Sequence, residues 1–159
     1  MKKLLILSSL VFFIAACAGS GDGDNADTTS QATTEATTED GAPSYDPNRG
    51  EGKFTNVEVS PTLDAAMAEK GQKVADLKCT SCHKLTDERL VGPGWSGVTK
   101  RHTPEWIMNF MTNTDAMIDK DPKVQAMLEI CMVRMPNQNL SDDDARSVYE
   151  YMRKVDGVK

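Results

Sequence analysis

The sequence predicts an all-α domain built around a single pentapeptide, and three observations carry that expectation. Apolar residues recur at helical spacing in several separate stretches beyond residue 60. Helix-start signals stand ahead of them: Thr103-Pro104, Asp121-Pro122, and Ser141 with Asp144 three residues on. No segment argues convincingly for a sheet. After the first helical stretch comes Cys79-Thr80-Ser81-Cys82-His83, a dense cluster of reactive side chains.

In chain order, residues 1–16 read as a secretory signal. Lys2-Lys3 precede an apolar run from Leu4 to Ala16, which ends in small residues and is too short to span a bilayer. The end of that run, Ile14-Ala15-Ala16-Cys17, resembles the lipobox of bacterial lipoproteins. That resemblance implies cleavage before Cys17, its lipidation, and an exported protein anchored by several acyl chains. Residues 17–60 are rich in Thr, Ser, Gly, Asp and Ala, with Tyr45 and Phe54 the only aromatics. Such a composition buries too little surface to offset chain entropy and reads as a disordered tether. A flexible chain of that length reaches roughly 35 to 40 Å r.m.s.. Within it, residues 53–60 alternate enough to suggest a short strand or packed arm.

Residues 61–159 form the expected domain. Pro61-Thr62 opens the first helix, with Leu63, Met67, Lys70, Val74 and Leu77 near one face. Gly71 inside this helix should cost about 1 kcal/mol relative to Ala, and it signals close approach of another backbone. Residues 91–98, Val-Gly-Pro-Gly-Trp-Ser-Gly-Val, make a turn-rich loop. Thr103 caps a helix whose first position is Pro104 and whose apolar stripe is Trp106, Ile107, Phe110 and Met111. Asp121-Pro122 starts another, with Val124, Met127, Leu128 and Cys131 at i, i+3, i+4 and i+7. Ser141 and Asp144 give a capping-box pattern for the last helix, whose buried face is Ala145, Val148, Tyr149, Met152 and Val155.

The chemistry sits in Cys79-x-x-Cys82-His83. A C-x-x-C-H run is the attachment signature of a c-type haem. Two thiols three positions apart can each add to a vinyl group on one porphyrin edge, while the adjacent imidazole reaches the iron. The same spacing also serves thioredoxin-like redox pairs and half-sites for zinc. Zinc needs further ligands, and only Cys17, Cys131 and His102 remain among Cys and His. A redox pair wants a βαβ setting, whereas these surroundings read as helical.

The stretch from about Leu63 to Val155 resembles a class I (mitochondrial-type) cytochrome c. The residues that carry the likeness are Gly71, the C-x-x-C-H run, Gly92-Pro93, Trp106, Met135-Pro136 and the helix from Asp142. The resemblance implies a class I cytochrome c fold of about four to five helices around one covalently bound haem c. It further implies that the Pro93 carbonyl orients His83 and that Trp106 lies near a haem propionate. One departure is visible. The family has an aromatic four residues before the first haem Cys, where this chain has Ala75, and Tyr149 is expected to fill that space from the last helix.

The sixth iron position decides function. Met135 lies in the link Arg134-Met135-Pro136-Asn137-Gln138-Asn139, where Pro136 disfavours helix for the residue before it. Placement on a loop, together with the family match, makes it the axial ligand opposite His83. Met132 follows a helical stripe and suits core packing better. His102 would give a bis-His site, but it precedes a helix cap and reads as a surface residue. Cys131 continues an apolar face and reads as a buried, inert thiol.

With both axial positions filled, the expected role is electron carrying rather than catalysis. The partners implied are respiratory redox proteins, with a quinol-oxidising complex as donor and a terminal oxidase or nitrogen-oxide reductase as acceptor. They would be met in transient docking by a monomer held at the outer or periplasmic face of a bacterial membrane. A haem-based peroxidase subunit or gas sensor with a labile sixth ligand is the alternative. The net charge of −6 adds little. Nine acids against Arg49 and Lys53 fall in residues 17–60, so the domain is nearly neutral and its acidity is a solvated linker. Lys73, Lys78, Lys84, Arg89, Lys100 and Arg101 surround the Cys motif in sequence and would steer an acidic docking face toward it. No basic, aromatic-interleaved stripe argues for nucleic acid.

Overall fold

Asp64 starts the first helix of the computed structural model, which describes residues 45–159. Its carboxylate accepts the Met67 amide at 2.9 Å, and α1 then runs Ala65–Lys78. The segments 1–16 and 17–44, with Cys17, lie outside the described residues. Five further helices follow: α2 Val98–Arg101, α3 Pro104–Thr112, α4 Thr114–Lys120, α5 Pro122–Cys131 and α6 Asp142–Val155. The described residues hold no strand, only an isolated bridge between His83 and Arg89. The all-α expectation holds, with α2 and α4 added to the helices legible in the sequence.

The seam between α1 and α6 is the backbone of the fold. A Cβ on Gly71 would lie 1.9 Å from the Ser147 carbonyl oxygen, so only glycine lets the two helices cross this closely. Ala68 and Ala75 flank it and are fully buried. The α1 face expected from the sequence, Leu63 to Leu77, is therefore not the one that meets α6. Small residues set the crossing, while Val74 packs at its margin and Leu77 is 85% exposed. On α6, Ala145, Val148, Tyr149 and Met152 are buried as expected, and Ser147, Glu150, Tyr151 and Arg153 join them. Glu150 takes Arg153 and Arg146 at 2.7 Å each and the Asp64 amide at 2.9 Å, so this buried carboxylate is fully partnered. Tyr149 is buried in the same core cluster as Ala75, with Arg146 5.5 Å over its ring, and Tyr151 meets Trp95 edge-on at 6.5 Å.

Caps fix the middle helices. Thr103 accepts the Trp106 amide at 3.2 Å ahead of Pro104, and Asp121 accepts the amides of Lys123 at 2.7 Å and Val124 at 3.0 Å. Ser141 accepts the Asp144 amide at 3.1 Å.

The tether boundary at residue 60 comes too late. Residues 45–60 lie along the helices as an arm without strand pairing. Asn109, fully buried on α3, holds it like a clamp. Its side-chain oxygen accepts the Phe54 amide at 2.9 Å, and its amide nitrogen donates to the carbonyls of Phe54 at 2.9 Å and Arg49 at 3.0 Å. Phe54, Val57 and Val59 pack on the core. The composition hides this because the arm's main-chain groups, more than its side chains, make the attachments.

Candidate functional site

The Cys motif caps α1 and turns back on itself. Cys79 donates its amide to Ala75 O at 2.8 Å, and the amides of Cys82 and His83 both reach Cys79 O at 3.0 Å. The loop that follows closes onto the same turn, with the Gly92 amide on Cys82 O at 2.9 Å. This closure brings Pro93 O to 2.8 Å from His83 Nδ1. The Nδ1–H donates to that carbonyl, which fixes the tautomer and leaves the Nε2 lone pair free to ligate. A Cβ on Gly92 would come 2.4 Å from the imidazole, so the loop needs glycine to lie this close. Burial lowers the His83 pKa, against the opposing pull of the Pro93 hydrogen bond, so the ring stays neutral at neutral pH. Burial also pushes the Cys79 thiol up to about 11, a poor setting for a redox thiolate. Cys79, Cys82 and Cys131 are free thiols, and among the described residues no group of three His, Cys, Asp or Glu could hold a metal ion.

His83 faces an apolar cavity of about 370 Å³. Trp106, Ile107, Phe110 and Met111 of α3 form one wall, and Met127, Leu140 and Met152 extend it. Every expected site residue of the domain lines this cavity: Cys79, Cys82, His83, Pro93, Trp106 and Met135. His83 and Met135, 52 positions apart in the chain, also share a smaller neighbouring cavity of about 80 Å³. Cys17 lies outside the described residues.

Three neighbours differ from expectation. Met132 is not a core residue. It ends α5 with φ +56°, and that left-handed turn leaves its side chain 83% exposed and off the cavity walls. Cys131 is half-buried rather than enclosed and borders the smaller cavity. His102 is not a surface side chain. It stacks on Trp106 with ring centroids 3.9 Å apart and planes 14° apart, and it lines the main cavity. Sequence reasoning also missed Asp121 as more than a cap. It is fully buried and accepts the Trp106 indole N–H at 2.7 Å and the Tyr45 hydroxyl besides its two amides. Burial acts to raise its pKa, but these four donors outweigh it and hold the carboxyl below the ordinary range. An Asp before a Pro signals a cap; nothing local signals an indole 15 residues upstream.

Residues 68–156 match the family model described as Cytochrome c. Among solved structures, the chain is similar to a cytochrome c from Rhodothermus marinus at 37% identity and a TM-score of 0.64, covering 66% of this chain and 90% of that one. An engineered form of the same bacterium's cytochrome c matches at 36% identity, with the same coverage and a TM-score of 0.63. A further engineered form, bound to a carbene intermediate, matches at 36% and a TM-score of 0.60. No curated protein matches the chain.

Proposed function

Because the chain belongs to the cytochrome c family, and so is an electron-transfer protein with one covalent haem c, we propose that it carries single electrons between respiratory partners from an anchored position on a membrane. The residues present fit that group. Two free thiols stand beside an imidazole whose Nδ1 is already engaged, and these face a thioether across an apolar cavity. In this reading Cys79 and Cys82 would hold the porphyrin, and His83 Nε2 and Met135 Sδ would ligate its iron. Bound there, the haem would supply a one-electron change at iron, and ligation by an imidazole and a thioether favours the ferrous form.

The pairing of His83 with Met135 across one cavity carries the proposal. Pro93 fixes the imidazole, and the apolar wall of α3 excludes water, so little has to reorganise when charge changes. The largely exposed Leu77 borders the main cavity, and Val91 and Val133 border the smaller one. An apolar rim of this kind suits brief redox docking through a small interface. Lys78, on the main cavity's lining, donates to Gln138 O at 2.8 Å and keeps its charge, whereas Lys84 pairs with Glu88 at 2.7 Å, so of the steering cations expected from the sequence Lys84 is neutralised by an ion pair. The donor and acceptor in this proposal are a quinol-oxidising complex and a terminal oxidase or nitrogen-oxide reductase. The anchor is lipid on Cys17 outside the cytoplasm, a reading supported by the signal and lipobox pattern. No helix among the described residues is long and apolar enough to cross a membrane.

One observation favours a second reading, a peroxidase subunit or gas sensor. Among the described residues, the side-chain hydrogen bonds and ion pairs that tie the link carrying Met135 to other elements come from exposed groups, Lys78 on Gln138 O and Arg134 on Asp115 and Asp119 at 3.1 and 3.3 Å. Absorption spectra of oxidised and reduced protein separate the two. A weak long-wavelength thioether-to-iron band in the wild type that vanishes in Met135→Ala, with a lowered potential, is the expected result. A wild type without that band that binds cyanide or peroxide rapidly would replace electron carrying by ligand chemistry.

A further inference from the structure

The wall of the cavity formed by α3 has an unusual division of polar work. The Trp106 indole N–H is committed: Asp121 accepts it at 2.7 Å, in a carboxylate that is fully buried and already holds the Tyr45 hydroxyl and two backbone amides. Turning the indole toward a ligand would leave that carboxylate short of a donor inside the protein. Yet a haem brings two propionate carboxylates, which need donors of their own.

His102 lies flat against the same indole and lines the same cavity. Its Nδ1 is shut off from solvent and has no hydrogen-bond partner among the described residues. A proton there would have no acceptor, so the neutral ring keeps its proton on Nε2, the nitrogen left to meet a ligand. The charges facing the ring are Arg101, next to it at the end of α2, Lys123 in the first turn of α5, and Asp121 at the cap of α5. Arg101 also lines the cavity, with its guanidinium held by Ser96 O at 2.6 Å. Two cations against one well-partnered carboxylate make this corner favourable for an anion.

We propose that His102, rather than Trp106, is the hydrogen-bond donor this wall offers to a haem propionate, and that by keeping the propionate ionised it sets how the reduction potential depends on pH. The proposal rests on the haem reading above. Trp106 serves as the platform that fixes the imidazole plane, and Asp121 fixes Trp106. Burial, then Lys123 and Arg101, lower the His102 pKa against the pull of Asp121, so the ring remains the neutral donor through neutral pH.

The test compares wild-type holoprotein with His102→Phe, which keeps the stack and removes the donor, and with His102→Gln, which keeps a donor. Reduction potentials are measured by spectroelectrochemistry between about pH 5 and 8. The wild type and His102→Gln are expected to give a nearly flat profile. For His102→Phe the potential should lie above the wild-type value at the acid end and fall toward it as pH rises. An unassisted propionate titrates in that window, and its negative charge favours ferric iron. A His102→Phe profile superimposable on the wild type overturns the proposal. Should that variant yield no holoprotein, redox-difference infrared spectra of wild type with and without ¹⁵N-histidine decide. An isotope-sensitive band beyond that of His83, identified by its absence from His102→Gln, supports the assignment; none opposes it. Failure of the haem reading looks different, since the wild type would then carry no covalent haem at all.

Discussion

Gly71 and Asp121 show how much of this domain hangs on single atoms. At Gly71 the missing Cβ is what allows α1 to lie on the Ser147 carbonyl, since a methyl would sit 1.9 Å from that oxygen. Gly71→Ala is expected to lose about 3 kcal/mol of stability by overpacking, despite alanine's better helix propensity, as read from a urea midpoint at unchanged slope. At Asp121 four donors converge on one buried carboxylate. Asp121→Asn should cost roughly 2 to 3 kcal/mol at neutral pH, because charge-assisted hydrogen bonds are weakened and one donor faces another. The sign of its pH dependence follows from a folded pKa below the unfolded value. The stabilisation is fully present above the unfolded pKa and is lost as pH falls through the folded one. The stability gap between wild type and variant is therefore expected to stay constant above about pH 5 and to close in acid below about pH 4.

The element whose role is least expected is the arm of residues 45–60. It ties together helices that come much later in the chain. Tyr45 reaches Asp121, Phe54 and Arg49 engage Asn109, the Val57 amide donates to Glu105 at 2.7 Å, and Ser60 O accepts Arg153 at 2.6 Å. A protein beginning at residue 61 is expected to be less stable than one beginning at 45 by roughly 4 kcal/mol, from lost hydrogen bonds and apolar packing together. Thermal unfolding of the two holoproteins checks this. The arm also supports the cavity at second hand, because Tyr45 and the Trp106 indole share one acceptor. The shorter protein should therefore show a disturbed tryptophan environment in fluorescence as well as a lower midpoint. Equal midpoints for the two lengths would make the arm a passive covering.

At the scale of the whole molecule, the proposed anchor and the domain are separable in charge and composition. Residues 17–60 hold most of the negative charge, and the domain beyond is close to neutral. Replacing Cys17 by Ser is expected to move the haem-loaded protein from the detergent phase to the aqueous phase on detergent phase separation, with its absorption spectrum unchanged. Retention in the detergent phase would mean that something other than acylation of Cys17 holds it to the membrane.

Much of this was legible in order along the chain because it depends on local rules. Caps at Thr103, Asp121 and Ser141, the turn-rich loop at Gly92-Pro93 and the C-x-x-C-H run each act within a few residues, so sequence alone determined the helices they start, the all-α class and the covalent cofactor. Two short helices escaped because α2 is four residues long and α4 begins at a junction with α3 that carries no cap of its own. What only the tertiary structure decided are relations between distant residues: which face of α1 meets α6, that residues 45–60 pack on helices far along the chain, and that the indole of Trp106 is spoken for while His102 lies against it. The physical reason is that burial and hydrogen-bond pairing are satisfied by whatever group the fold brings near, and a residue's neighbours in space leave no mark in its neighbours along the chain.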